Sequence, residues 1–330
     1  MSHKLFSLFS CIWIFISFIG CDSVKRNDIA VNVHIQRFDK ELYKWISTDN
    51  PSIQKQIQSE YAPMLKVMGL SLFRTTDTQT DEFFEQMINY YSEPTLNRLY
   101  QDALATFDHV ATVEKDLSLA FGYLQNNFPS MQIPAVYMHI SGFQQNVWVD
   151  DSLLSISTDK YLGADYPLYK TYFYACERRK MDPLYIVPDY FTAWIMSEYP
   201  FQGDDRILLD RMIYEGKIKY LVHEAIPELI PEVLMGYTPE EYQWCRKNEK
   251  ILWEEIIQRK HLYTPDHVTT SKYFYAVPLQ FISELAPGNL GTWVGWQIVS
   301  QYMDRNRVTP EQLMNNTNAQ DILTKSKYKP

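Results

Sequence analysis

Apolar positions change their spacing along the chain, and each change predicts an element. From Phe38 to Phe128 they recur three or four apart, the spacing of helices that bury one face. Pro51–Met68, Thr80–Tyr91, Thr95–Phe107 and Ala111–Phe128 each carry this pattern and predict a helical layer. Just before it, Ala30–Gln36 alternates apolar and polar residues, which predicts a half-buried strand. Between Ile133 and Leu162 the period shortens again. Pro134–Ile140, Asn146–Asp150 and Leu153–Thr158 are short and rich in β-branched and aromatic residues, with Ser141-Gly142 and Asp150-Asp151 as turns between them. They predict a small antiparallel β-segment in the middle of an otherwise helical chain.

Helical spacing returns after Asp165. Thr238-Pro239-Glu240-Glu241 and Thr309-Pro310-Glu311-Gln312 are capping boxes with proline at the first helical position. The first predicts a long helix to about Lys260, with Trp244, Ile251, Trp253 and Ile257 among its apolar residues. Pro287-Gly288 breaks the chain ahead of a further helix over Asn289–Asn306. No internal repeat, low-complexity tract or Gly/Ser linker divides residues 30–330. The expected fold is a single α-rich α+β domain.

The first residues have a different character. Met1-Ser2-His3-Lys4 forms a short positive segment, and Leu5–Ile19 is apolar except for Ser7, Ser10, Cys11 and Ser17. Gly20 then precedes Cys21. This is the three-part shape of a signal peptide, and the apolar run falls short of the ~20 residues that span a bilayer. Cleavage before Cys21 leaves a cysteine for acylation, so residues 1–20 are assigned as a lipoprotein signal and 21–29 as a lipidated tether. Phe18, third before the cysteine, departs from the usual aliphatic residue. The expected location is the cell envelope, with the membrane held through the lipid on Cys21 and with inner and outer membrane both open.

Charge narrows the partners. The chain of 330 residues carries a formal −9, and residues 1–20 contribute only the positive Lys4, so the remainder is more acidic still. Nonspecific nucleic-acid binding rests on Lys and Arg neutralising phosphates, and a basic face is what docks on anionic lipid; neither is expected here. Cysteine usage leaves Cys176 and Cys245 beyond Cys21. An exported location permits them to pair, and equally permits two buried free thiols.

Candidate chemistry centres on Leu208–Glu228. His223-Glu224 begins as an H-E-x-x-H zinc helix would, but Pro227 stands four residues after His223. Proline ligates no metal and breaks a helix interior. A lesser metal set would combine Glu215, His223, Glu224 and Glu228. Gly288, Gly291 and Gly295 lack G-x-G-x-x-G spacing and sit beside Trp293 and Trp296, which points to close helix packing. No G-x-S-x-G elbow, P-loop or C-x-x-C pair is present, and no cofactor is expected. Aromatic residues make up 15% of the chain, enough to raise a sugar- or peptide-binding reading for Tyr169–Tyr174, Tyr273–Tyr275 and Trp296 beside a purely structural one.

Several short blocks occur in an order that resembles the gliding-motility lipoprotein GldB family of Bacteroidetes. They are Val33–Asp39, Ser157–Gly163, Ile186–Asp189, Met212–Lys217, Gly236–Glu240, Gly295–Val299 and Lys325–Pro330. The resemblance implies a lipid-anchored envelope protein of the gliding or associated secretion machinery, with envelope proteins as partners and no enzymatic activity. A second resemblance is to gluzincin-type predicted zinc proteases, in which Glu215 matches the third ligand. The helix that would carry H-E-x-x-H, Val187–Glu198, contains no histidine. That comparison implies a degenerate zincin-like scaffold, retained for binding or assembly. Zinc-dependent hydrolase and glycan- or peptide-binding lipoprotein are the alternatives.

Overall fold

The computed structural model describes residues 31–330. Lipidation of Cys21, the signal and the tether up to residue 29 lie outside the described residues. The chain enters through a two-residue strand, β1 (Ile35–Gln36), and then builds six helices: α1 (Phe38–Thr48), α2 (Pro51–Glu60), α3 (Ala62–Met68), α4 (Asp81–Tyr91), α5 (Pro94–Thr106) and α6 (Ala111–Asn127). The expected helix over Pro51–Met68 is two helices. Pro63 has no N–H to donate and its ring clashes with the carbonyl four residues back, so the chain restarts at Ala62.

The strand expected over Ala30–Gln36 shrinks for a similar local reason. The N–H of Val33 donates to Ser118 Oγ at 3.0 Å and that of Ile35 to Glu114 Oε1 at 2.9 Å. Side chains of α6 therefore take the backbone donors that a longer strand would give to a neighbour.

The sheet comprises β1, β2 (Ala135–His139), β3 (Val147–Asp150) and β4 (Leu153–Ser157) in the order β1-β2-β4-β3. It is mixed rather than antiparallel. Only the β3–β4 hairpin runs antiparallel; β2 is parallel to both β1 and β4. The loop after β2 carries the chain beyond the place of β4, so β3 returns on the outer edge and β4 fills the gap beside β2.

Side chains alternate across the sheet. Val136, Met138, Leu154 and Ile156 face a core made with α6 and the C-terminal helices, while Tyr137, Trp148 and Leu153 face a core made with α1, α4 and α5. Every residue of β4 is buried, as a strand covered on both faces must be. The result is a thin sheet between two helical layers, a predominantly helical α+β fold.

The buried Asp159 fixes the loop after β2. Its carboxylate accepts N–H bonds from Ser141 at 3.2 Å and Phe143 at 2.8 Å, and a short bond from the Ser157 hydroxyl. Gly142 and Phe143 both take left-handed conformations, φ 67° each, so that these donors converge.

The C-terminal layer contains α7 (Tyr169–Tyr172), α8 (Ala175–Arg178), α9 (Ile186–Glu198), α10 (Leu208–Ala225), α11 (Pro231–Met235), α12 (Pro239–Gln258), α13 (His267–Lys272), α14 (Leu290–Arg305), α15 (Pro310–Asn315) and α16 (Ala319–Ser326). Both capping boxes form: Thr238 with Glu241 and Thr309 with Gln312 exchange side-chain and backbone bonds. Helix α10 is the spine of this layer and packs most extensively on α14. No helix among the described residues is long and apolar enough to cross a membrane.

Candidate functional site

Helix α10 carries the chemistry-bearing residues singled out in the sequence, but on two different sides. Glu215 and Lys219 stand one turn apart toward α9, where Asp189 lies in the first turn. Lys180 reaches the same place from the segment after α8, passing over Gly236. Gly236 caps α11 at φ 70°, and a Cβ there would collide with the Lys180 side chain.

The four charged groups act on one another. Burial raises the Asp189 carboxyl, opposed by the Tyr161 hydroxyl, which donates to it at 2.7 Å, and by Lys180 and Lys219. Burial and the neighbouring Lys219 push the Lys180 ammonium down to about 8, with Asp189 and Glu215 acting in the other direction. Lys219 is lowered by the same burial and held up by the same two carboxylates. Lys180, Asp189 and Lys219 line a cavity of about 20 Å³, the room of a single water. Two lysines thus supply the positive charge beside the Asp189 and Glu215 carboxylates.

His223 belongs to a separate cleft of about 530 Å³ bounded by α10, α12 and α14. From α10 come Tyr220, His223 and Glu224, spaced so that they share a face. Helix α12 contributes Tyr242, Arg246 and Glu249 at the same kind of spacing. Helix α14 adds Trp293, Trp296, Gln297, Ser300 and Asp304, one stripe along nearly its whole length.

Ring contacts tie the cleft wall together. His223 meets Trp296 edge-on at 5.7 Å between centroids, Trp296 meets Trp293 at 5.9 Å, and Trp293 meets Tyr242 at 5.3 Å. The indole N–H of each tryptophan and Nδ1 of His223 are buried without a hydrogen-bond partner. Glu249 accepts from the Tyr328 hydroxyl at 2.7 Å, and its burial raises its carboxyl. Burial, with the charges of Glu224 and Asp304, pushes the Tyr220 phenol up to about 12.

The lesser candidate metal set is not brought together. Glu215 acts on Lys180 and Lys219, while His223 and Glu224 line the other cleft. Glu228 is exposed in the turn after α10, because Pro227 ends the helix at Ala225. Among the described residues no group of three or more His, Cys, Asp or Glu side chains is placed to hold a metal ion.

The aromatic stretches also divide. Tyr169 and Tyr273 are buried, whereas Tyr172 is 62% exposed beside a different cavity, with Phe143 and Phe173. Tyr172 and Trp296 therefore do not share a site. Gly295 is a packing glycine, as its tryptophan neighbours suggested: a Cβ on it would strike the Met212 carbonyl. Cys176 and Cys245 are both free thiols.

Sequence reasoning missed Arg246, Glu249, Gln297, Ser300 and Asp304. The readable signal was a polar stripe, Gln297, Ser300 and Asp304, along a helix whose other faces are apolar. Lys180, Lys219 and Asp189 left no comparable pattern.

A sheet between two helical layers, with a polar aromatic cleft on its C-terminal layer and a group of two lysines and two carboxylates on another side of α10, defines an α+β scaffold. The chain belongs to the family described as gliding motility protein GldB, which matches residues 22–330. No curated protein and no solved structure matches the chain.

Proposed function

We propose that the protein is a lipid-anchored component of the cell envelope, acting in gliding motility or its associated secretion machinery by binding rather than by catalysis. The observation that carries this reading is the family match over residues 22–330, the whole chain after Cys21. Two or three acyl chains on Cys21, at about 0.8 kcal/mol for each buried CH2, would hold the body at a membrane almost permanently. Envelope proteins are the expected partners, and the acidic body disfavours nucleic acid.

The carboxylate pair supports a noncatalytic role. Asp189 and Glu215 both act electrostatically on Lys180 and Lys219, and two lysines beside those carboxylates disfavour a divalent cation there.

Membrane fractionation of the native strain and a Cys21→Ser strain tests the anchor. The wild-type protein should stay with membranes and label with a fatty-acid analogue, and the variant should do neither. Surface spreading and secretion should fall in a deletion strain and recover with the wild type. Unchanged spreading and secretion on deletion would remove the motility assignment. Stoichiometric zinc in the purified protein, lost in His223→Ala, would establish the hydrolase alternative.

A further inference from the structure

We propose that the cleft between α10, α12 and α14 is a saccharide site that takes a neutral or amine-bearing oligosaccharide segment. The inference deepens the binding role proposed above and rests on it.

The lining contains no aliphatic side chain; every wall residue is aromatic or polar. Clefts that take apolar ligands are walled largely by hydrophobic groups. A sugar presents another surface, with C–H faces that suit aromatic rings and hydroxyls that each need both a donor and an acceptor. Arg246, Gln297 and Ser300 provide donors on the same cleft as the carboxylates of Glu249 and Asp304. Tyr220 and Tyr242 are the partly exposed rings of the lining, while Trp293 and Trp296 back the wall from the core.

Charge selects within the saccharides. Three carboxylates face one guanidinium, so a uronic-acid or sulfated chain is repelled and an ammonium is favoured. A volume of about 530 Å³ lies within the ~300–1,000 Å³ of small-ligand clefts.

The full-length lipidated protein, kept in a zwitterionic detergent without a sugar headgroup, is screened on an array of neutral, amino and acidic glycans and on a tetrapeptide library. Chitotetraose and its deacetylated form are then titrated against tryptophan emission. Saturable binding confined to neutral or amino glycans, with a saturable change in tryptophan emission, is the expected result. Arg246 and Asp304 are exposed, so Arg246→Ala and Asp304→Asn should keep the wild-type Tm. Each should weaken binding about tenfold, the loss of one charge-assisted hydrogen bond. Tyr172→Ala, at the other cavity, should bind as wild type.

Binding of no neutral or amino glycan, binding of peptides or acidic glycans alone, or affinity undiminished in both Arg246→Ala and Asp304→Asn overturns the proposal. Fractionation and spreading decide the anchored role separately. A membrane-held protein that supports spreading but binds no glycan loses only this site.

Discussion

Gly216 of α10 and Gly295 of α14 lie backbone to backbone: a Cβ added to Gly216 would collide with the carbonyl of Gly295. The same crossing sets the cleft, because it fixes how closely the helix carrying His223 approaches the one carrying Trp296. Neither clash is with a flexible side-chain end, so neither relaxes cheaply. Gly216→Ala and Gly295→Ala should each destabilise the fold by about 3 kcal/mol, read as a lower urea midpoint. A change below about 0.5 kcal/mol would mean that the two helices part without loss.

Lys217 shares α10 with the candidate site but points elsewhere, donating to the carbonyl of Asn316 at 2.6 Å. Burial pushes its ammonium down from 10.5 to about 8. Between those values the unfolded chain holds a proton that the folded chain has released, so this group makes stability rise with pH from about 8 to 10.5. Below about 8 its unfavourable contribution is constant. In Lys217→Met the rise should shrink, and the difference from wild type across that window should be on the order of 2 kcal/mol. Parallel urea midpoints for the two proteins from pH 7 to pH 10 would refute the assignment.

Asp159 holds two backbone N–H groups of the loop that turns through Gly142 and Phe143. Asparagine keeps the shape but offers one oxygen and brings donors to a place built from donors. Asp159→Asn should lower stability by about 2 kcal/mol and speed amide exchange at Ser141 and Phe143. Unaltered exchange at both amides would show that the loop holds itself.

The two thiols of the folded body differ in access. Cys245 is buried and burial pushes its thiol up to about 12, while Cys176 is partly exposed. In the Cys21→Ser background a maleimide should label Cys176 readily at pH 7.5 and reach Cys245 only on denaturation. Equal labelling of both in the folded protein would contradict this burial.

The spacing of apolar residues determined most of the helices, and local hydrogen bonding explains why. Thr238 and Thr309 cap the helices that their own sequences announce, and Pro239 and Pro310 preset the first turn. Strand positions were legible in the same way, since β-branched and aromatic runs between turn residues need no distant partner to be recognised. The direction of β2 relative to β4 was not legible, because it depends on where a seven-residue loop deposits β3. The absence of histidine from α9 and the proline after His223 were readable as a broken zinc pattern from residue identity alone.

Tertiary structure decided what those residues do. Glu215 and His223 lie on one helix eight residues apart, yet α9 and Lys180 claim the first, and α12 and α14 enclose the second. Periodicity along one helix states which residues share a face; it does not state what packs on that face. The lysines around Asp189 and the polar stripe of α14 meet their partners only when distant segments converge, and a one-dimensional pattern carries no record of that convergence.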